Sequence, residues 1–312
     1  MAIPANTFQT YSAVGVREDL ADIIYNISPT ETPFISNVGK GSAKSTYHEW
    51  QIDSLDAAAD NKAVEGDDAG AGAITPTVRV GNYTQIASKT ISLSGSNQVT
   101  DAAGRASEMA YQLAKRGQEL KRDMEVTLVG TNKGQASGSS GTARELGSVQ
   151  SWLATNVNLG SGGAAPDGDG TDARTAGTNR TFTEDMLNDV ITKTWVSGGM
   201  PSVIMCNAGQ KAKITAFTGN ATKYKEVNDK TVINAVDVYV SDYGDLSVVP
   251  NRFMDTSVVL VLQPDMWSVD YYRDFQTHDL AKTGDSDKKQ ILVEYTLASK
   301  QEAASGIIAD LS

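Results

Sequence analysis

One cysteine and two histidines are scarce for a chain of 312 residues, and that scarcity removes several kinds of chemistry at once. Cys206 sits in the apolar run SVIMC, so it reads as a buried, inert thiol, and no intrachain disulfide framework is possible. His48 and His278 belong to no HxxxH or HExxH spacing, which argues against a zinc site. No G-x-S-x-G elbow occurs, and a cysteine–histidine dyad would have to use Cys206. No apolar run reaches the roughly 18 residues of a membrane-spanning helix, and the start MAIPANTFQTY lacks the basic and apolar regions of a signal peptide. Basic residues are also in deficit: 27 Lys and Arg stand against 38 Asp and Glu, a net charge of −11. That balance disfavours a general nucleic-acid binder and suits a soluble component of an assembly. The reading is a protein that is not an enzyme, with no catalytic residue, no cofactor and no metal.

Two stretches imitate ligand sites. Asn37–Thr46, NVGKGSAKST, resembles a phosphate-binding loop, but Gly39 lies five positions before Lys44 where the motif needs six. The prolines before it and the alternating YHEWQID after it place it in a turn entering a strand, not between a strand and a helix. In PDGDGTD, Asp167, Asp169 and Asp172 suggest a calcium loop. The closing acidic residue is missing, because the twelfth position is Thr178, so a solvated flexible loop is expected.

What is present divides into five zones. Residues 1–44 form an arm with a short helical pattern at Arg17–Ile27 and too few apolar residues for a core of its own. Residues 45–96 read as a long β-hairpin, Ser45–Leu55 out and Thr77–Leu93 back, and two strands alone bury too little to persist in water. From Tyr47 to Ala73 it carries seven acidic residues against Lys62 alone. Asp56, Asp60, Glu65, Asp67 and Asp68 lie at its tip, and nothing in the chain is an obvious cover for it. Next, residues 97–129 predict a helix of about 45 Å, capped at Asn97 or Thr100 and ended by Gly130. Leu113, Leu120 and Met124 lie on its narrow apolar stripe, and Asp101/Arg105, Lys115/Glu119 and Lys121/Glu125 are expected as exposed pairs.

Residues 131–181 are rich in glycine and serine, with Leu146, Val149, Trp152 and Leu153 able to dock. The remainder alternates types, which makes a mixed α+β fold. Thr183 caps a helix with Met186, Leu187, Val190, Ile191 and Trp195 on its apolar face. SVIMC is a buried strand, Asn207 caps a second helix through Phe217, and strands follow at Val232–Val240, Leu246–Val249, Ser257–Leu262 and Gln290–Leu297. An arm, an uncovered hairpin and an overlong strut all need neighbours, as subunits of large symmetric assemblies do.

The order of these parts resembles the Hong Kong 97-type major capsid protein of tailed phages. The wording TETPFISNVGK, GNYTQIASKTISLSGS, AAGRASEMAYQLAKRGQELKRDMEVTLVG and LAKTGDSDKKQILVEYTLASKQEAASGIIADL is similar to the SU10-type major head protein family. That resemblance implies an N-terminal arm at 1–44 and an extended loop at 45–96 laid along an adjacent subunit. A peripheral domain with the spine helix follows at 97–183, an axial domain at 184–270, and a return to the peripheral domain at 271–312. It implies a subunit that forms hexamers and pentamers of an icosahedral head around double-stranded DNA, without sequence-specific binding. Scaffolding, portal and cement or decoration proteins are the expected partners, with assembly in the host bacterial cytoplasm and residence in the virion. No removable scaffolding segment is recognisable near the N-terminus, so scaffolding is expected from a separate protein. The competing reading is a self-associating surface-array or binding module of non-viral origin, which would form open sheets.

Overall fold

The computed structural model describes residues 30–62, 64–66, 68, 70, 72, 74–99, 107–217 and 238–312. The helical pattern at Arg17–Ile27, Asp67 and the Asp101/Arg105 pair lie outside them. Pro33 opens a short helix, α1 (Pro33–Asn37), where its missing N–H costs nothing. The chain continues through β1 (Gly39–Ser42), β2 (Tyr47–Ile52), β3 (Val78–Tyr83), β4 (Gln85–Ser94), α2 (Gly95–Val99) and α3 (Glu108–Val129). Next come α4 (Val149–Trp152), β5 (Val157–Asn158), α5 (Glu184–Val196), β6 (Val203–Cys206) and α6 (Ala208–Ala216). The last strands are β7 (Val238–Ser241), β8 (Gly244–Pro250), β9 (Val259–Leu262), β10 (Trp267–Leu280), β11 (Ser286–Ser299) and β12 (Gly306–Ile308).

Three sheets organise these parts: a six-stranded one in the order β5-β12-β9-β6-β8-β7, a four-stranded one in the order β1-β10-β11-β4, and the ribbon β2-β3. β6 and β9 are buried at every position because both faces of their sheet are covered. Ile204, Val259 and Val261 face Leu187, Val190 and Ile191 of α5 and Ile214 of α6. Met205, Leu260 and Leu262 belong to the larger core, with Leu120, Met124 and Leu128 of α3 and with Trp152 and Trp267. Asn207 caps α6 as its side chain accepts from Gln210 N–H, and Gly198, at φ +89°, takes the left-handed conformation that ends α5.

Several expectations are corrected. α3 starts later than predicted: the Ser107 side chain accepts from Ala110 N–H, and Gly95–Val99 is a separate turn. Its 22 residues span about 33 Å rather than 45 Å. The return arm of the hairpin is not one strand either. Its inner half, β4, pairs along its length with β11, so the chain itself covers that part. β10 carries a weak sequence signal because only Trp267, Val269, Tyr271 and Phe275 give it a core face, and beyond Phe275 its side chains are exposed. Within Val232–Val240 the described residues place strand from Val238. Trp195 is 52% exposed and stacks on Tyr243, so it does not belong to the core face of α5. The loop at 167–172 is held in place: Gln135 N–H donates to Gly170 O, and Gly170 lies so close to the Trp152 ring that a Cβ would fall within 2.6 Å of it.

Candidate assembly surface

The extended excursion begins on a fixed base. β2 and β3 pair in antiparallel register from Tyr47↔Tyr83 to Ile52↔Val78. Trp50 lies 5.4 Å from Trp152 between ring centroids and donates its indole N–H to Ser299 O at 2.7 Å. Asn82 is fully buried; its amide donates to Leu297 O, and its oxygen accepts from Gly147 N–H. At Thr84 the chain passes from ribbon to sheet. Thr84 N–H donates to Thr46 O, its hydroxyl donates to Glu294 at 2.7 Å, and its carbonyl accepts from Arg144 Nε. Glu294, only 1% exposed, also binds Arg144 at 2.6 Å and Arg273 at 2.7 Å. A buried carboxylate with two guanidinium partners and a hydroxyl donor is satisfied, and such a network fixes geometry. It sets the direction in which the ribbon leaves the body.

Beyond Ile52 the anchoring stops. Every described residue from Asp53 to Thr77 is exposed, including Leu55 at 98% and Ile74 at 94%. Asp56, Asp60, Glu65 and Asp68 lie here on the surface, and the Lys62–Asp60 pair at 2.8 Å is more than 80% exposed on both sides. Such a pair adds almost nothing to stability.

α3 packs against β4 and β11. Leu120 and Met124 are buried in the larger core, whereas Leu113 is half-buried and packs against its margin. The predicted Lys121/Glu125 surface pair does not form. Glu125 is fully buried, accepting from Phe34 N–H at 2.6 Å, Ile35 N–H at 3.1 Å and the Asn251 amide at 2.6 Å. Burial pushes its pKa up, although these donors oppose the shift. The first turn of α1 is thereby fixed on the carboxylate of α3, where free N–H groups attract negative charge. Sequence reading missed this contact; its one signal was an acid beside Met124 and Leu128, at the edge of the apolar stripe. Glu119 pairs with Arg116 at 2.6 Å, in a part-buried contact, and not with the expected Lys115.

Cys206 is fully buried and its thiol is pushed up to about 12 by burial. His48 meets Asp270 at 3.0 Å, and His278 is exposed on β10. No group of three or more potential metal ligands occurs among the described residues, and none of their helices is long and apolar enough to cross a membrane. Asp167, Asp169 and Asp172 are placed by local bonds, with Asp172 accepting from Asp167 N–H and Asp169 from Thr171. Lys44 sits between β1 and β2, exposed, with no helix after it.

A mixed α+β body with a projecting ribbon is the architecture of the Hong Kong 97-like capsid fold, and the solved structures that match are of that class. The chain aligns with "Capsid of native GTA particle computed with C5 symmetry" at a TM-score of 0.64 and 9% identity, covering 97% of this chain and 98% of that one. It aligns with a chain from Gordonia phage Cozz at a TM-score of 0.61 and 10% identity, covering 99% and 97%. Residues 3–312 match the family described as SU10 major capsid protein, and the "Major capsid protein" of Escherichia phage Phieco32 is 30% identical over 96% of each chain. The chain belongs to the SU10 major capsid protein family: it is a structural subunit of a tailed-phage head.

Proposed function

We propose that this subunit closes into hexamers and pentamers of an icosahedral shell around double-stranded DNA, and that the tip of its extended excursion ties neighbouring copies together. The observation that carries the reading is the contrast along residues 47–83: a root fixed by buried bonds, and a tip whose described residues are all exposed. A segment rigidly aimed into solvent with apolar side chains bare is built to be covered by a neighbour. In this reading residues 1–44 are the arm, 45–96 the extended loop, and 97–183 the peripheral domain. Residues 184–270 are the axial domain, and 271–312 complete the peripheral sheet. Asp56, Asp60, Glu65, Asp67 and Asp68 meet basic side chains of an adjacent copy, while Leu113, Leu120 and Met124 hold the spine. The net charge of −11 suits a shell that encloses DNA without gripping it. Scaffolding, portal and decoration proteins complete the head, and assembly proceeds in the host cytoplasm. Electron microscopy of purified protein tests this: closed particles with five-fold vertices are expected, and open sheets would favour a surface array instead.

A further inference from the structure

Leu55 is the barest large apolar side chain in the described excursion, and Asp53 and Asp56 flank it. On the body, a cavity of about 470 Å³ lies between α1, α3 and β10. Ile35, Met124 and Phe275 give it an apolar floor. Lys40 and Lys121 stand exposed at its rim against one acid, Asp274. Lys121 lies 5.8 Å over the Phe275 ring, so its charge is held at the mouth.

The cavity also borders an open sheet edge. β1 pairs with β10 only from Ser268 to Tyr271, and the outer edge of β10 beyond that point has no strand partner among the described residues. An extended segment with unpaired backbone is the natural occupant of such an edge.

We infer that the Asp53–Asp56 segment of a second copy of this chain docks here, with Leu55 in the cavity, its aspartates on Lys40 and Lys121, and its backbone along β10. This deepens the proposed role of the tip and rests on the capsid reading. Two features of the surfaces match: an acid-flanked leucine with no cover, and an apolar cavity whose rim has a net positive charge. Buried apolar contact supplies the affinity, and the charges select the partner. The docking also places the contact against α1, the turn that Glu125 fixes, so the arm and the excursion meet at one point.

The test uses the whole chain in two singly substituted forms, Leu55→Cys and Ser36→Cys; Ser36 is exposed and lines the cavity. Native Cys206 is fully buried and does not compete. The two forms are co-assembled, treated with a mild oxidant and run on a denaturing gel. Mixed disulfide dimers are expected, in excess over those from Leu55→Cys paired with Ala212→Cys on α6. Closed particles without that dimer overturn the docking and leave the capsid reading standing; failure of the parent chain to form particles removes both. A disulfide within one chain between Ile24→Cys and Ser36→Cys, without the mixed dimer, would instead assign the cavity to the chain's own arm. Charge exchange is the second measure. Lys121→Glu and Asp56→Lys should each lower particle yield several-fold and restore it when combined on co-assembled chains. No recovery in the pair argues against the contact.

Discussion

Between Tyr47 and Ile52, and again between Val78 and Thr84, the excursion is locked by register, by an indole bond to Ser299 and by the buried Asn82 and Thr84. Between 53 and 77 it offers the solvent Leu55, Ile74 and a run of carboxylates, with single local bonds such as Asp53 to its neighbour's N–H. The two parts are covalently continuous but stabilised by different means. The root gains from bonds that water cannot replace once they are buried. The tip gains nothing until another surface removes its water. Fold and assembly are therefore separable along one hairpin, and substitutions should separate them.

Removing residues 56–76 should have the largest effect, and only on assembly. The subunit is expected to stay soluble, with native circular dichroism and an unchanged unfolding midpoint, while electron microscopy shows no regular shells. Normal shells from the deleted chain would make the tip decoration, and an unfolded subunit would make it part of the core. The converse change is Glu294→Ala in the root. It strands two arginines that are each partly exposed, so the loss should be about 2–4 kcal/mol, at or below the usual range for breaking a buried pair. Denaturant unfolding measures it, and a loss below about 1 kcal/mol would mean the root is not held by this network.

Asn82→Ala should cost less, about 1–3 kcal/mol, because it leaves Leu297 O and Gly147 N–H without their partner in a closed site. Glu125 extends the comparison to the arm. Its pKa is raised by burial, so the folded state holds the proton more tightly than the unfolded one. The stability gained in this way is fully present below the unfolded carboxylate value and is lost as pH rises through the raised folded value. The thermal advantage of the parent over Glu125→Gln should therefore be larger at about pH 4 than at about pH 7. The reverse trend would place a lowered pKa at this site. The smallest effect belongs to the tip: Lys62→Ala breaks a pair in open solvent and should leave the unfolding midpoint unchanged.

Periodicity and punctuation were enough to mark out the helices α3, α5 and α6 and the buried strands β6 and β9. In each, either an apolar stripe repeats at helical spacing or an unbroken apolar run stands between turn residues. The bareness of the tip was legible too, since small and acidic residues between 53 and 77 have nothing to bury. Pairing was not legible. Thr77–Leu93 reads as one strand because alternation continues through Thr84, although the partner changes there from β2 to β11. β10 is illegible for a related reason: beyond Phe275 it has no core face, and its hydrogen bonds to β11 rather than its side chains hold it in the sheet.

Glu125 shows the limit most plainly. The sequence places it four residues after Lys121 and therefore in reach of a surface pair. Its carboxylate instead turns inward because α1 brings unpaired amides to it across 91 positions of chain. Side-chain chemistry and local spacing determined which segments are helix, strand or bare loop. The tertiary structure alone decided which strand pairs with which, which acid is buried and where a cavity opens. Those outcomes depend on contacts between residues far apart in sequence, and local periodicity carries no record of them.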